Sequence, residues 1–308
     1  MRRIAGIIIL IAISIHSGAQ ENLTVQAINP LVQLLDSIHK VKDDSVRLQL
    51  NIEFNKKIWA IAVNNPEGGG IPDSLRISNV ISEDGNVRIL SWNIQQNSGE
   101  NIYAGLIINR QLNSVIPLGM KKSEPALSDG KIYRDGDWPS GIIYKIIQRR
   151  FNKQTSYTLL SWDGFDRRIT RKSIESLSFD EQGKAVFGAP VFKIKEGIRN
   201  RIVNEYSSSA SFSMQYNRQK VTLSGVRRSQ RNIDDEMIVL DRLIPLNEDL
   251  KGQRWAYVPA GNTYDAYIYF EGYWTLTEDI TARNKPSGKT AGKTTKNTEL
   301  DLLPPAKK

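Results

Sequence analysis

From Val87 onward, turn residues cut the chain into short apolar runs, and this constrains the fold more than any other feature. Asp84-Gly85-Asn86 marks a turn before a predicted strand at 87–94, and Ser98-Gly99 another before 102–108. Further strands are predicted at 142–148, 157–162, 185–187, 206–216 and 237–240. A last hairpin pairs 264–270 with 273–277 across Glu271-Gly272. In Ser211-Phe212-Ser213-Met214-Gln215-Tyr216 one face is apolar and the other polar, as in a half-buried antiparallel strand. The expectation is a mainly β protein, an antiparallel meander closing into a sandwich or barrel.

Two helices are expected before the strands, over about 29–63. Asn29-Pro30 suits an N-cap and a first turn, and Leu31, Leu34, Leu35 and Ile38 recur at helical spacing. His39 lies beside that stripe with no second catalytic group near it in sequence. The next segment carries two patterns. Val46, Leu48, Leu50, Ile52 and Phe54 alternate, yet Val46, Leu50, Phe54 and Ile58 also form an i, i+4 row. Residues 44–63 are long for a strand, which favours a helix. Asn64-Asn65-Pro66 and Gly68-Gly69-Gly70 end it as a loop without the Lys-Ser/Thr of a phosphate-binding loop. Leu-Ser-Trp occurs at 90–92 and 160–162, too sparse a repeat for a propeller. The basic stretch 215–236, with Arg218, Lys220, Arg227, Arg228 and Arg231, reads as a lengthened hairpin loop.

The N-terminus sets the expected compartment. Arg2 and Arg3 precede an apolar run over 4–15, then Ser17-Gly18-Ala19 before Gln20. This is the pattern of a secretory signal peptide at 1–19, cleaved to leave Gln20 first, in a periplasm or outside the cell. The run falls short of the ~20 apolar residues of a membrane span, and no transmembrane segment is expected after cleavage. The chain has no cysteine, which excludes disulfides, thiolate metal sites, a cysteine nucleophile and a lipid on cysteine. Of two histidines, His16 leaves with the signal, so a His-based zinc site or triad has only His39. No cofactor motif is present.

Net charge is +9, or +7 without Arg2 and Arg3. Residues 281–308 hold seven basic and two acidic side chains, a net +5, so the body carries only about +2. No nucleic-acid partner is expected, because that role puts the excess on the folded domain. Residues 285–295 hold no apolar side chain larger than alanine and no periodicity, and 285–308 are expected to be a disordered tail after a single domain over 20–284. Weak adhesion to an anionic envelope surface is one role open to such a tail.

Carboxylates are the catalytic raw material in quantity. Asp163 and Asp166 share a turn, and Glu278 and Asp279 end the last strand. Glycoside hydrolysis needs two carboxylates about 5–10 Å apart, although Asp before Gly is also ordinary turn chemistry. Trp92, Trp162 and Trp274 are the candidates for a stacking platform, against the commoner use of aromatics as core. Asp163-Gly164-Phe165-Asp166 lacks the spaced oxygens of a calcium loop.

Blocks along 30–284 resemble those of uncharacterised secreted proteins of Bacteroidota. They include Ile71-Pro72-Asp73-Ser74-Leu75, Arg88-Ile89-Leu90-Ser91-Trp92-Asn93, Tyr157-Thr158-Leu159-Leu160-Ser161-Trp162-Asp163-Gly164, Phe187-Gly188-Ala189-Pro190-Val191-Phe192, Glu205-Tyr206-Ser207-Ser208 and Glu278-Asp279-Ile280-Thr281-Ala282-Arg283-Asn284. The resemblance implies export, N-terminal helices and a single unit, and no activity. The expected function is that of an exported envelope or secreted protein with a structural or binding role. The alternatives are a carboxylate-dependent hydrolase, for example on glycans, and adhesion through the basic tail.

Overall fold

The computed structural model describes residues 30–71, 75–222 and 232–280. The expected signal peptide, the basic tail and residues 223–231 of the basic stretch lie outside them. Helix α1 spans 30–40 and buries Leu31, Leu35 and Ile38 along one stripe. Helix α2 (Asp44–Asn64) is the ambiguous segment. Its start is fixed by Asp43, whose carboxylate accepts from the backbone N–H of Ser45 (2.9 Å) and Val46 (3.1 Å). It buries Asn51, Phe54, Ile58 and Ala62, the helical spacing rather than the alternating one.

Fifteen strands follow among the described residues. They are β1 (Ser78–Ile81), β2 (Val87–Gln95), β3 (Asn101–Asn109), β4 (Ser114–Lys122), β5 (Ile142–Phe151), β6 (Gln154–Asp163), β7 (Ile169–Phe179) and β8 (Ala185–Phe187). Then come β9 (Phe192–Ile194), β10 (Gly197–Arg199), β11 (Arg201–Ser207), β12 (Met214–Thr222), β13 (Asn232–Pro245), β14 (Tyr257–Phe270) and β15 (Tyr273–Ile280). They form three sheets: a first ordered β1-β2-β3-β4, a central one ordered β11-β7-β6-β5, and a third ordered β10-β9-β15-β14-β13-β12. Strand β8 pairs with β7 off the central path. Neighbours are antiparallel except β15 and β9.

Three hydrophobic clusters show how the layers stack. The helices lie on one face of the first sheet, over Leu90, Trp92, Ala104 and Leu106. Its other face, with Ile89, Tyr103 and Ile107, meets Ile143, Ile146 and Leu159 of the central sheet. The far face of the central sheet, with Ile147, Leu160 and Ile174, meets Ile238, Leu240, Tyr267 and Trp274 of the third. The central sheet is thus covered on both faces, and neighbouring residues Leu159 and Leu160 point into different cores. The mainly β expectation holds as stacked open sheets. Among the described residues no sheet closes into a barrel; the apolar faces are covered by stacking, the central sheet between the other two and the helices on the first.

Two sequence expectations need correction. The strand expected over 206–216 is broken. Strand β11 ends at Ser207 in the central sheet, and β12 begins at Met214 in the third. Between them Ala210 N–H donates to Ser207 O, and the Ser207 and Ser209 hydroxyls bond each other, the local bonding by which serine competes with a ladder. The basic stretch 215–236, expected as a loop, is mostly ladder. Gln215 to Thr222 pair with residues 232–239, and Arg218 reaches across to Asp234 at 2.8 Å. Cross-strand ion pairs allow a strand that polar to pair.

Gly105, buried in the middle of β3, shows how closely the first sheet is packed. A Cβ there would stand 2.5 Å from the Leu90 carbonyl oxygen, which is backbone and cannot rotate away. Gly105→Ala should cost about 1–3 kcal/mol through this overpacking. A thermal unfolding midpoint equal to wild type would contradict that reading.

Candidate functional site

The central sheet carries an unusual cargo of buried charge on the face towards the first sheet. In β7, Arg171, Ser173 and Glu175 alternate onto that face while Ile174 serves the other core. The register places Asp163 of β6 and Glu205 of β11 on either side of Arg171. Four residues along, Leu159 and Arg201 flank Glu175. The result is two cross-strand rows, Asp163–Arg171–Glu205 and Leu159–Glu175–Arg201. Arg171 and Arg201 are 0% and 1% exposed.

In the first row the Arg171 Nε donates to Glu205 at 2.7 Å, and Arg254 grips the same carboxylate through two nitrogens. Burial raises the Glu205 carboxyl, but the bonds from Arg254 and Arg171 outweigh it and hold the group below its ordinary value. The Phe165 ring lies against both guanidiniums, 3.6 Å from the Arg171 Cζ and 5.1 Å from that of Arg254. Asp163 Oδ1 accepts from the Tyr103 hydroxyl (2.8 Å) and the Ser123 hydroxyl (2.6 Å). Its Oδ2 has no hydrogen-bond partner and lies 3.6 Å from Arg171 Nη1. Burial raises the Asp163 carboxyl against the pull of these bonds and of Arg171.

In the second row the Arg201 Nε donates to Glu175 Oε2 at 2.7 Å. Burial pushes the Glu175 carboxyl up to about 7 in spite of Arg201. The remaining arginine nitrogens face the connection between β4 and β5. Arg171 donates to the carbonyls of Glu124 and Pro125, and Arg201 to those of Ser128 and Lys131. Both arginines therefore clamp a long loop by its backbone. In that loop Glu124 gathers Lys121 and Lys131 at 2.9 Å each and the Tyr133 hydroxyl at 3.0 Å.

The residues singled out by sequence are scattered over this frame. Asp163 is in the buried network. Asp166, in the turn after β6, accepts from the N–H groups of Arg168 and Ile169, both at 2.7 Å, which is turn chemistry. Glu278 and Asp279 are exposed at the end of β15 in the third sheet. Trp92 is buried, donates to Asn51 at 2.8 Å, and stands edge-on to Phe54. Trp274 is fully buried and donates to the Thr158 hydroxyl at 2.8 Å. Neither offers a ring face to a ligand. Trp162 is half-buried at the end of β6, with its ring over Gly164, where a Cβ would stand 2.6 Å from Cη2.

Sequence reasoning missed Arg171, Glu175, Arg201, Glu205 and Arg254. The signal was present in β7, where Arg171, Ser173 and Glu175 recur every second residue. Among the described residues no group of three or more His, Asp or Glu side chains is placed to share a metal ion. No helix among them is long and apolar enough to cross a membrane. One open hollow of about 300 Å³ runs along α2 beside Val46, Leu50 and Lys56. Another of about 230 Å³ lies on the third sheet. No known protein family, curated protein or solved structure matches the chain.

Proposed function

We propose that the chain is an exported envelope or secreted protein, related to the Bacteroidota proteins it resembles, with a binding or structural role and no hydrolytic chemistry. One observation carries the reading. The Glu175 and Glu205 carboxylates of the central sheet serve arginines that clamp the loop between β4 and β5. They are spent on holding chain together, and Asp166 is spent on its own turn. The basic, apolar and small-residue order of residues 1–19 supports export.

Two measurements test this. Mass spectrometry of the protein from its native host should find a chain starting at Gln20, whereas intact Met1 protein in membranes would sink the export reading. Purified mature protein incubated with polysaccharides should release no reducing ends. Release that disappears in Asp163→Asn would establish the hydrolase instead.

A further inference from the structure

The third sheet has an outward face that the central sheet does not touch, and it holds a groove of about 230 Å³. Ser213, Gln215 and Asn217 line one side from β12 and the residue before it, Val239 and Asp241 the floor from β13, and Tyr264 the other side from β14. The register makes them neighbours, with Gln215 opposite Val239 and Asp241 opposite Tyr264.

The backbone is irregular at this place. The β13–β14 ladder slips between Asp241 and Leu243, and the β14–β15 ladder slips between Tyr264 and Ala266. Asp241 and Tyr264 thus stand where both ladders break register, and ladder irregularities are common beside binding sites. Asp279, across the second slip, takes a left-handed φ of 59° and donates its N–H to Asp265 at 2.9 Å. Asp265 in turn is held by Arg242 at 2.5 Å. The irregular segment is therefore braced rather than loose.

The polar groups in the groove are only partly used. Asp241 Oδ2 accepts from the Ser213 N–H at 2.6 Å, and Asn217 Oδ1 accepts from Gln219 at 3.0 Å. Among the described residues the Gln215 amide, the Asn217 amide nitrogen, the second Asp241 oxygen and the Tyr264 hydroxyl make no hydrogen bond to protein. This set donates and accepts in about equal measure. It contains one carboxylate and no lysine or arginine, so an anionic ligand would find no countercharge. Planar amides and carboxylates offer two points at the spacing of adjacent hydroxyls, while the half-buried Tyr264 ring offers an apolar face for C–H groups. The volume is below the roughly 300 Å³ at which sites for drug-sized ligands begin, which suits one small ring.

We propose that this groove binds a neutral, hydroxyl-rich ligand, one sugar residue of a glycan, with Gln215, Asn217 and Asp241 contacting its hydroxyls and Tyr264 bearing one ring face. The inference rests on the binding role proposed above and names its ligand class and place.

The test is saturation-transfer NMR on the mature protein with glucose, galactose, mannose and N-acetylglucosamine, each also as a disaccharide. At about 10 mM sugar, tenfold above a millimolar Kd, at least one probe should show transfer. Gln215→Ala and Tyr264→Ala should each weaken binding roughly tenfold, the equivalent of one lost hydrogen bond or ring contact. Gln49→Ala, in the hollow along α2, should leave it unchanged. Both groove residues are partly exposed, so urea midpoints near wild type will show that the variants fold. Absence of transfer from all eight probes overturns the proposal, as does binding that survives both groove substitutions unaltered. Conversion of a disaccharide to monosaccharides in the same spectra would instead overturn the non-hydrolytic reading, whatever the groove does.

Discussion

Arg201→Met will destabilise the protein by about 3–5 kcal/mol, the usual consequence of stranding one member of a buried ion pair. Glu175 is 2% exposed and loses its guanidinium partner, while the carbonyls of Ser128 and Lys131 lose their donors. Against a total stability of roughly 5–15 kcal/mol this is a large share. The double substitution Glu175→Leu with Arg201→Met removes both charges and should recover much of the loss, because it leaves no unpaired ion. Urea unfolding of the single and double variants measures the coupling. Equal midpoints for Arg201→Met and wild type would show that the pair carries no weight.

The same pair gives a pH dependence. The folded Glu175 carboxyl is raised from 4.5 to about 7. A raised carboxyl binds a proton more readily in the folded state. Its contribution is therefore complete below pH 4.5 and fades as pH rises through about 7. Compared with Glu175→Gln, the wild type should lose stability between those pH values. A parallel course for the two proteins would show that Glu175 titrates normally.

Trp274→Ala should cost a similar amount, about 3–5 kcal/mol. Trp274 is fully buried where β15 meets the central sheet, and its indole N–H is bonded to Thr158. Tyr269 lies at 5.1 Å and Tyr216 at 6.4 Å between ring centroids, and the Arg149 guanidinium at 5.6 Å. Truncation leaves a cavity bounded by groups from both sheets, which cannot all move in to fill it. Trp162→Ala, at a half-buried site, should cost clearly less. A urea midpoint for Trp274→Ala matching wild type would remove Trp274 from the core.

Much of the β character is legible because turns are chemically marked. Asp84-Gly85-Asn86 and Glu271-Gly272 need left-handed backbone at Gly85, Glu271 and Gly272, and glycine supplies two of the three. Helix α2 is legible for a different reason. Val46 to Phe54 alternates like a strand, but Asp43 caps the first turn and Ile58 and Ala62 extend the helical row. The charged strands escaped notice. Charged side chains are seldom buried without a partner, and the sequence alone does not show which partners Arg171, Glu175, Arg201 and Glu205 have. Only the register reveals that each lies beside its counter-ion. The groove was equally hidden, because Gln215 and Tyr264 are 49 residues apart and meet only through β13.

The order of the layers has a consequence for how the chain acquires its structure. The helices, the first sheet and most of the central sheet follow one another along the sequence, so a chain released from its N-terminus can complete each before the next is made. Strand β11 is the exception. It belongs to the central sheet but arrives after β9 and β10 of the third. Until β11 docks, Arg171 and Glu175 have been synthesised without Glu205 and Arg201. Until then the central sheet ends at β7, with Glu175 lacking its counter-ion and Arg171 facing Asp163 alone, and charge of this kind on an open edge disfavours pairing with the edge of another chain.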